Sequence, residues 1–309
     1  MPVAENYRRQ VALLIKVMPF VAAEKCFALK GGTAINLFVR NMPRLSVDLD
    51  LTYLPIEDRD KSLTEIDAAM RRIGDAIVRG VPGAVVERGA PKGETRITKL
   101  IVRADEVQIK IEVTPVLRGC VYDPEMRSVA ARVEEEFGFA EMQVVSFPDL
   151  YAGKIVAALD RQHPRDLFDV RDLLANEGIS DELRRAFIVY LVSTNRPFAE
   201  LLEPTRLDIA EEFSRGFEGM TNEAVTIDEL LKAREQMIAE VVGKMPADHR
   251  KFVLSLKRGE PDWKLLKVPG AEGLPAVRWR LQNLAKMDKE KRAGLIARLQ
   301  KILQLEEPS

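Results

Sequence analysis

The strongest constraint on the fold lies in residues 46–51, where apolar and polar side chains alternate in the order Ser-Val-Asp-Leu-Asp-Leu. Because successive side chains of a strand point to opposite faces, Leu49 and Leu51 share one face, and Asp48 and Asp50 share the other. The segment is therefore predicted to be a β-strand with one buried, apolar face. Its polar face places two carboxylates side by side, where a bound cation or protonation relieves their repulsion.

A glycine pair precedes this strand, in the sequence Gly31-Gly32-Thr33 that follows an apolar run. Glycine lets a backbone approach a ligand closely, and the N–H groups at the start of a helix attract phosphate. Mg²⁺ is usually held by one or two carboxylates together with substrate phosphates. Together the two motifs predict metal-dependent nucleotidyl transfer, with an NTP as substrate and Mg²⁺, or else Mn²⁺, as cofactor. Taken singly, the aspartates also fit a solvated strand edge, and the glycines an ordinary turn.

The predicted nucleotide site is built around this turn. We expect the backbone N–H groups of Gly31, Gly32 and Thr33 to hold the phosphates, and Lys30 or Ser46 to add contacts. The expected chemistry is an in-line displacement in which metal ions stabilise the attacking and the leaving oxygens.

In this order the two motifs resemble the polymerase-β-like nucleotidyltransferase superfamily, and within it the AbiEii/AbiGii (MenT-like) toxin family. That family has the pattern GGTxL, then a helix, then RxSxDxD. The first pattern stands here as Gly-Gly-Thr-Ala-Ile at residues 31–35, and the second as Arg-Leu-Ser-Val-Asp-Leu-Asp at residues 44–50.

A third carboxylate is a candidate metal ligand. Residues 95–113 predict a β-hairpin whose return strand, residues 107–113, carries Glu112 on its polar face. If that strand lies beside residues 46–51, Glu112 joins Asp48 and Asp50. The alternative is an exposed face of lysine and glutamate. The resemblance favours a metal ligand, since the superfamily has a third acidic residue on a later strand.

A second cluster lies in residues 147–174, where Lys154 sits among apolar residues and Pro164 precedes Asp166 and Asp169. From the residues alone, a snorkelling lysine and a helix cap with an ion pair explain the cluster. The family, however, carries a lysine helix followed by an RDxxD helix at this spacing. The resemblance implies that Lys154 neutralises charge on the triphosphate. Asp169, with Asp166, then either activates the acceptor hydroxyl or orients the lysine.

The chain length of 309 residues accommodates two domains. Strand signals fade near Ser146, so we predict an α+β fold: a mixed-sheet nucleotidyltransferase core in residues 1–145, and a helical domain in residues 146–309 that completes the active-site cleft. Within the core, residues 115–145 are predicted to be mixed and loop-like. Ser62 fits the N-cap of a capping box and is predicted to begin a helix.

Bulk properties set the expected location and partners. The two cysteines, the absence of a signal-peptide core and the lack of a long apolar run predict a cytoplasmic protein without membrane association. The net charge is −1, but residues 230–309 carry 17 Lys and Arg against 10 Asp and Glu. This basic segment hints at a polyanionic partner, and its Arg-Trp-Arg sequence at residues 278–280 suits RNA contact.

The resemblance also implies the biology. It predicts a toxin of a toxin–antitoxin, or abortive-infection, system that transfers NMP from an NTP to the 3′ end of tRNA, that a cognate antitoxin counters, and that serves in phage defence. The residues leave two alternatives open. One is a nucleotidyltransferase that modifies a small molecule or a protein hydroxyl, and the other is a catalytically silent RNA- or protein-binding module.

Overall fold

A seven-stranded mixed sheet organises the first part of the chain. The computed structural model describes residues 3–305. The strands are β1 Phe27–Lys30, β2 Asp48–Tyr53, β3 Val85–Gly89, β4 Lys99–Ala104, β5 Val107–Val113, β6 Glu125–Ser128 and β7 Glu141–Val144. Their order across the sheet is β3-β4-β5-β2-β1-β7-β6. The neighbours β2 and β5, and β1 and β7, run parallel, and the other pairs run antiparallel.

The predicted alternation holds in the two central strands of this sheet. Leu49 and Leu51 of β2 and Ile111 of β5 are fully buried, whereas the residues between them are half-buried. The apolar face is covered in part by α1, Val3–Ala22, which packs on β5 and β7. Burial of these branched side chains, at about 25 cal/mol per Å² of apolar surface, is the driving force for the arrangement.

The remaining helices of this part are α2 Gly31–Ala34, α3 Arg59–Gly80 and α4 Ala131–Phe137. A single π-helical turn, Ile35–Val39, continues α2. Such insertions into helices are rare and are often found at functional sites.

Two local predictions are wrong. Residues 115–145 are not loop-like, because they form β6, α4 and β7. The third helix begins at Arg59, so Ser62 is not its N-cap; it is buried within the first turns, and its hydroxyl donates to the carbonyl of Asp58 at 3.0 Å. The predicted hairpin is present as β4 and β5, although β4 begins only at Lys99.

The chain divides into two compact units. The first extends to Ser146 and takes in Glu218–Ala224, and the second comprises Phe147–Phe217 and the chain from Val225 onward. In the first unit the returning segment pairs with the loop before β2, where the Leu45 N–H donates to the Met220 carbonyl at 3.0 Å. Arg44 and Thr221 form an isolated β-bridge beside it.

The second unit is helical throughout the part that the structure describes. Its helices are α5 Phe147–Arg161, α6 Pro164–Asn176, α7 Asp181–Ser193, α8 Phe198–Leu202, α9 Ala210–Gly216, α10 Ile227–Ile238, α11 Ala247–Arg258, α12 Trp263–Leu266, α13 Pro275–Ala285 and α14 Lys289–Ile302. Helix α5 packs on α6 and α7, and α10 packs on α6. The mixed sheet and the helices confirm the predicted fold class.

Candidate active site

A row of four charged residues, two carboxylates between two lysines, crosses the polar face of the sheet. Lys30 of β1 is in register with Asp50 of β2, which is in register with Glu112 of β5, and Glu112 with Lys99 of β4. Residues paired across neighbouring strands share a face. The strand that carries Glu112 therefore does lie beside the strand that carries the two aspartates. Asp48, two residues before Asp50, lies on the same face.

The carboxylate of Asp50 packs directly on Gly31. The glycine has a φ of +77°, and a Cβ atom built on it would lie 2.8 Å from the Asp50 Oδ2 atom. Any side chain at this position would be strained by the backbone and would displace the carboxylate. The turn that was predicted to hold phosphate and the strand that was predicted to hold metal thus meet at this contact.

The second glycine of the turn is restricted by side-chain contacts alone, since its φ is not positive. A Cβ on Gly32 would lie 2.8 Å from Arg44 Nη2 and 3.1 Å from Ser46 Oγ. Thr33 Oγ1 donates to the Asp48 carbonyl, so the 3.0 Å contact between the Thr33 and Ser46 hydroxyls must have Ser46 as its donor. The side chains of Thr33 and Ser46 therefore tie the glycine turn to the start of β2.

Two lysines flank the carboxylates. Lys30 is half-buried and donates to Thr114 Oγ1 at 3.1 Å. Burial lowers the pKa of Lys30, while the charges of Asp50 and Glu112 oppose that shift. Burial also acts on Lys110, but the Glu112 hydrogen bond and the neighbouring aspartates outweigh it and raise the pKa of Lys110.

Lys110 is a residue that sequence reasoning did not single out. Its Nζ lies 2.9 Å from a Glu112 carboxylate oxygen, and it is in register with Asp48. The signal was present in the alternation of β5, which places residues 110 and 112 on one face.

The carboxylates of the sheet fit a metal ion that takes few of its ligands from the protein. Within residues 3–305, no three His, Cys, Asp or Glu side chains are grouped so as to hold a metal ion among themselves. The Glu112 carboxylate is directed to Lys110, whereas Asp48 and Asp50 share a strand face. Two carboxylates completed by substrate phosphates match the usual coordination of Mg²⁺.

The second predicted cluster forms a buried ion network in the helical unit. Lys154 Nζ lies 2.8 Å from Asp166 Oδ1 and 2.9 Å from Asp169 Oδ2, and the lysine side chain is only 6% exposed and each aspartate 1%. Arg161, which sequence reasoning missed, adds a 2.6 Å contact from its Nε to Asp166 Oδ2. All three predicted residues are therefore brought together by α5 and α6.

The start of α6 positions this network. His163 Nδ1 accepts a hydrogen bond from the Arg165 N–H at 3.1 Å, and Pro164 occupies the first turn. A side-chain cap and an early proline both favour helix initiation. Burial disfavours the charged form of Asp166, but Lys154 and Arg161 outweigh it and hold its pKa well below the usual range.

Comparison with known proteins decides the family. The family model described as "Nucleotidyl transferase AbiEii toxin, Type IV TA system" matches residues 12–283. The chain belongs to the AbiEii nucleotidyltransferase toxin family. This confirms the resemblance, and the matched range includes both the sheet cluster and the Lys154 cluster.

A solved structure supports the fold of this AbiEii member. MenT4, a nucleotidyltransferase toxin from Mycobacterium tuberculosis H37Rv, is similar with a TM-score of 0.63 and 16% identity over 92% of this chain and 95% of that one. No curated protein matches the sequence significantly. Among residues 3–305, no helix combines the length and the apolar character that a membrane span requires.

Proposed function

We propose that this AbiEii member transfers NMP from an NTP to the 3′-terminal hydroxyl of tRNA. Asp48 and Asp50 hold Mg²⁺, or Mn²⁺ in its place, and the Gly31 turn holds the phosphates. The observation that carries the proposal is the contact of the Asp50 carboxylate with Gly31. It joins the acidic strand to a left-handed backbone conformation that favours glycine.

The chain's own groups have separate roles in the proposal. The backbone N–H groups of the turn bind the phosphates. No side chain caps the start of this helix, because its N-cap residue, Lys30, makes no side-chain hydrogen bond to these N–H groups. The ammonium of Lys30 adds positive charge next to Asp50. The Ser46 hydroxyl orients Thr33 rather than a phosphate, because it donates to the Thr33 oxygen.

When bound, the metal would supply the positive charge that stabilises the attacking and leaving oxygens of the displacement. Asp48 and Asp50 are the ligands that we assign to it. Glu112 is assigned a supporting role, because its carboxylate pairs with Lys110 and lies in register with Asp50.

Lys154 is proposed to contribute charge for the triphosphate, with Asp166 and Asp169 as its positioning residues. Both carboxylates accept from the lysine ammonium at hydrogen-bond distance. That geometry favours orientation of Lys154 over activation of the acceptor hydroxyl, because each carboxylate is already paired with a cation.

The biological setting is also a proposal. The family assignment supports a cognate antitoxin as partner and the cytoplasm, where NTPs and tRNA are found, as the site of action. The basic segment of residues 230–309 supports a polyanionic acceptor. A role in phage defence follows if the toxin is released from its antitoxin during infection.

A transfer assay tests the proposal. Purified protein is incubated with each α-labelled NTP, Mg²⁺ and total tRNA, and label is followed by gel electrophoresis. We expect label in tRNA, lost with EDTA and reduced about 100-fold or more in Asp48→Asn, since a metal ligand is removed. The matched control is Asp105→Asn in the exposed hairpin turn, which should retain full transfer.

The other outcomes separate the alternatives. Label in a small molecule or in a protein would overturn tRNA as acceptor and retain the transferase. Absence of label from every acceptor, with folded protein and each NTP, would favour a binding module. Equal transfer by Asp48→Asn and the wild type would remove Asp48 from the metal site.

A further inference from the structure

A group of cations in the helical unit is not used by the proposed reaction. It consists of Lys257 of α11, Arg280 of α13 and Arg292 of α14, and we call it the cation cluster. Lys257 and Arg280 lie over the ring of Phe198 of α8, and the charge of Arg292 acts on Lys257. Lys257 Nζ lies 5.3 Å and the Arg280 guanidinium carbon 4.6 Å from the centroid of the Phe198 ring. Helix α14 packs on both α8 and α11.

Lys257 is the central member because it is buried without a counterion. Its exposed fraction is 5%, and its ammonium, which lies over the Phe198 ring, makes no hydrogen bond or ion pair within residues 3–305. Burial and the charges of Arg280, Arg292 and Lys291 together lower the pKa of Lys257 to about 8. Every charged group that acts on this lysine is therefore positive.

The two arginines are also incompletely paired. Arg280 donates one Nη2 hydrogen bond, at 2.6 Å, to the Arg196 carbonyl, and Arg292 donates to the carbonyls of Arg258 and Leu284. The Nε atoms of both arginines are buried and, in the part of the chain that the structure describes, have no hydrogen-bond partner. Each guanidinium group therefore has an N–H that could donate to an oxygen of a ligand.

Such an arrangement is unfavourable for the protein alone. A buried charge without a partner is destabilising, and the like charges add repulsion. The Phe198 ring offsets part of this cost through cation–π attraction. An anion with several acceptor oxygens would remove the rest, and phosphate offers such oxygens in the geometry that arginine binds.

We propose that the cation cluster is a phosphate-binding site, formed by Lys257, Arg280 and Arg292 and distinct from the glycine turn of the sheet. Its ligand is a phosphate group, either free or as part of an RNA backbone. The exposed Arg278 and Trp279 lie on the same helix as Arg280. Because residues one or two positions apart do not share a helix face, these two side chains are not assigned to the site.

Thermal unfolding with inorganic phosphate tests the site directly. At a phosphate concentration about ten times Kd, we expect the Tm of the full-length protein to rise by roughly 3 °C relative to NaCl of equal ionic strength. The rise should disappear in Lys257→Met, which itself should be at least as stable as the wild type without phosphate, since an unpaired charge is removed. Lys251→Met, an exposed lysine of the same helix, should respond like the wild type.

Amine labelling gives a second readout that does not depend on stability. At pH 8, bound phosphate should raise the pKa of Lys257 by about one unit and slow its acetylation about fivefold, measured by mass spectrometry of the peptide. A short single-stranded RNA should protect Lys257 at a lower concentration than inorganic phosphate if the source is RNA. Protection by inorganic phosphate alone would assign the site to a free anion.

The proposal is overturned if phosphate neither shifts Tm nor slows labelling of Lys257, or if Lys257→Met keeps the phosphate response of the wild type. These outcomes are distinguishable from failure of the transfer assay, because unfolding and labelling with inorganic phosphate are measured without NTP or tRNA.

Discussion

Gly31 is the single residue on which the candidate site depends most. Its φ of +77° lies in the left-handed region, and the Asp50 carboxylate occupies the space where a side chain would be. Gly31 is thus constrained in two ways, by its left-handed backbone conformation and by the contact with Asp50. The two constraints can be tested separately, because Gly83 has the left-handed conformation without such a contact.

Gly31→Ala tests the contact, with Gly83→Ala as its matched control. Gly83 has a similar φ of +73°, but a Cβ there would meet no atom within 4 Å. Both variants should lose about 1–2 kcal/mol of unfolding free energy from backbone strain, measured by urea denaturation. Only Gly31→Ala should also lose transfer activity, by roughly 100-fold, because the carboxylate is displaced.

A Gly31→Ala protein that transfers nucleotide as well as Gly83→Ala would show that the Asp50 contact has no part in the reaction. A loss of transfer in both variants would attribute the effect to strain rather than to the carboxylate.

Among the elements, α5 and α6 are joined by a buried ion network. Lys154 is buried with both of its carboxylate partners, so it has a structural role whether or not it also acts in catalysis. A Lys154 variant can therefore lose activity because it unfolds, so its stability has to be measured alongside its activity.

Lys154→Met should cost about 3–5 kcal/mol at pH 7, because two buried carboxylates lose a counterion. The sign of the pH dependence follows from Asp166, whose pKa is lowered in the folded protein. Its stabilisation is complete above the unfolded pKa, near 4, and is lost as pH falls through the folded value. Urea midpoints should therefore differ most at pH 7, and the difference should begin to shrink below about pH 4 and continue to shrink at lower pH.

A difference between the two proteins that is constant from pH 7 to pH 3 would contradict this account. Asp160→Asn is the control, since Asp160 is a half-exposed carboxylate of the same helix, and its effect should stay below about 1 kcal/mol at every pH.

The central strands could be predicted from the sequence because burial there has a period of two. The alternation in residues 46–51 and 107–113 reports directly which face is apolar. Whether these two strands are neighbours could not be predicted from the alternation, since the order of strands in a sheet depends on contacts between residues distant in sequence. The register that places Glu112 beside Asp50 is a finding of the structure.

Short and exposed elements were the ones that sequence reasoning missed. Strands β3 and β6 form the two edges of the sheet, and most of their residues are exposed, so no alternation marks them. The Lys154 network was found through the family pattern, whereas the pairing of Lys110 with Glu112 requires knowledge of side-chain direction. The prediction that Ser62 is an N-cap was wrong because Ser62 lies inside the helix, where its hydroxyl donates to the Asp58 carbonyl one turn earlier.

For the molecule as a whole, the family assignment and the charge distribution set the expectations. The chain is an AbiEii toxin by family, with a net charge of −1. Its basic segment lies entirely in the second unit as divided by contacts. The same unit also contains residues 147–217, which carry 9 Lys and Arg against 13 Asp and Glu, so the basic charge is concentrated in a segment and not in a whole unit.

Induced expression in a bacterial host should arrest growth, because the proposed transfer of NMP to tRNA would stop translation. Asp48→Asn should restore growth, and Asp105→Asn should arrest it as the wild type does; colony counts with immunoblots for protein level provide the measurement. Co-expression of the cognate antitoxin should also restore growth. Arrest by Asp48→Asn at equal protein level would mean that toxicity does not come from nucleotide transfer.

The return of Glu218–Ala224 to the sheet unit affects how such a gene can change over time. The partner of Arg44 is encoded more than 170 codons downstream of it, among the codons of the helical unit. A crossover between two homologous genes near codon 146 would take the sheet from one parent and the segment Glu218–Ala224, which pairs with the loop before β2, from the other. We therefore expect such a recombinant to lose stability in its sheet unit, because the bridging peptide and its partner loop would come from different parents.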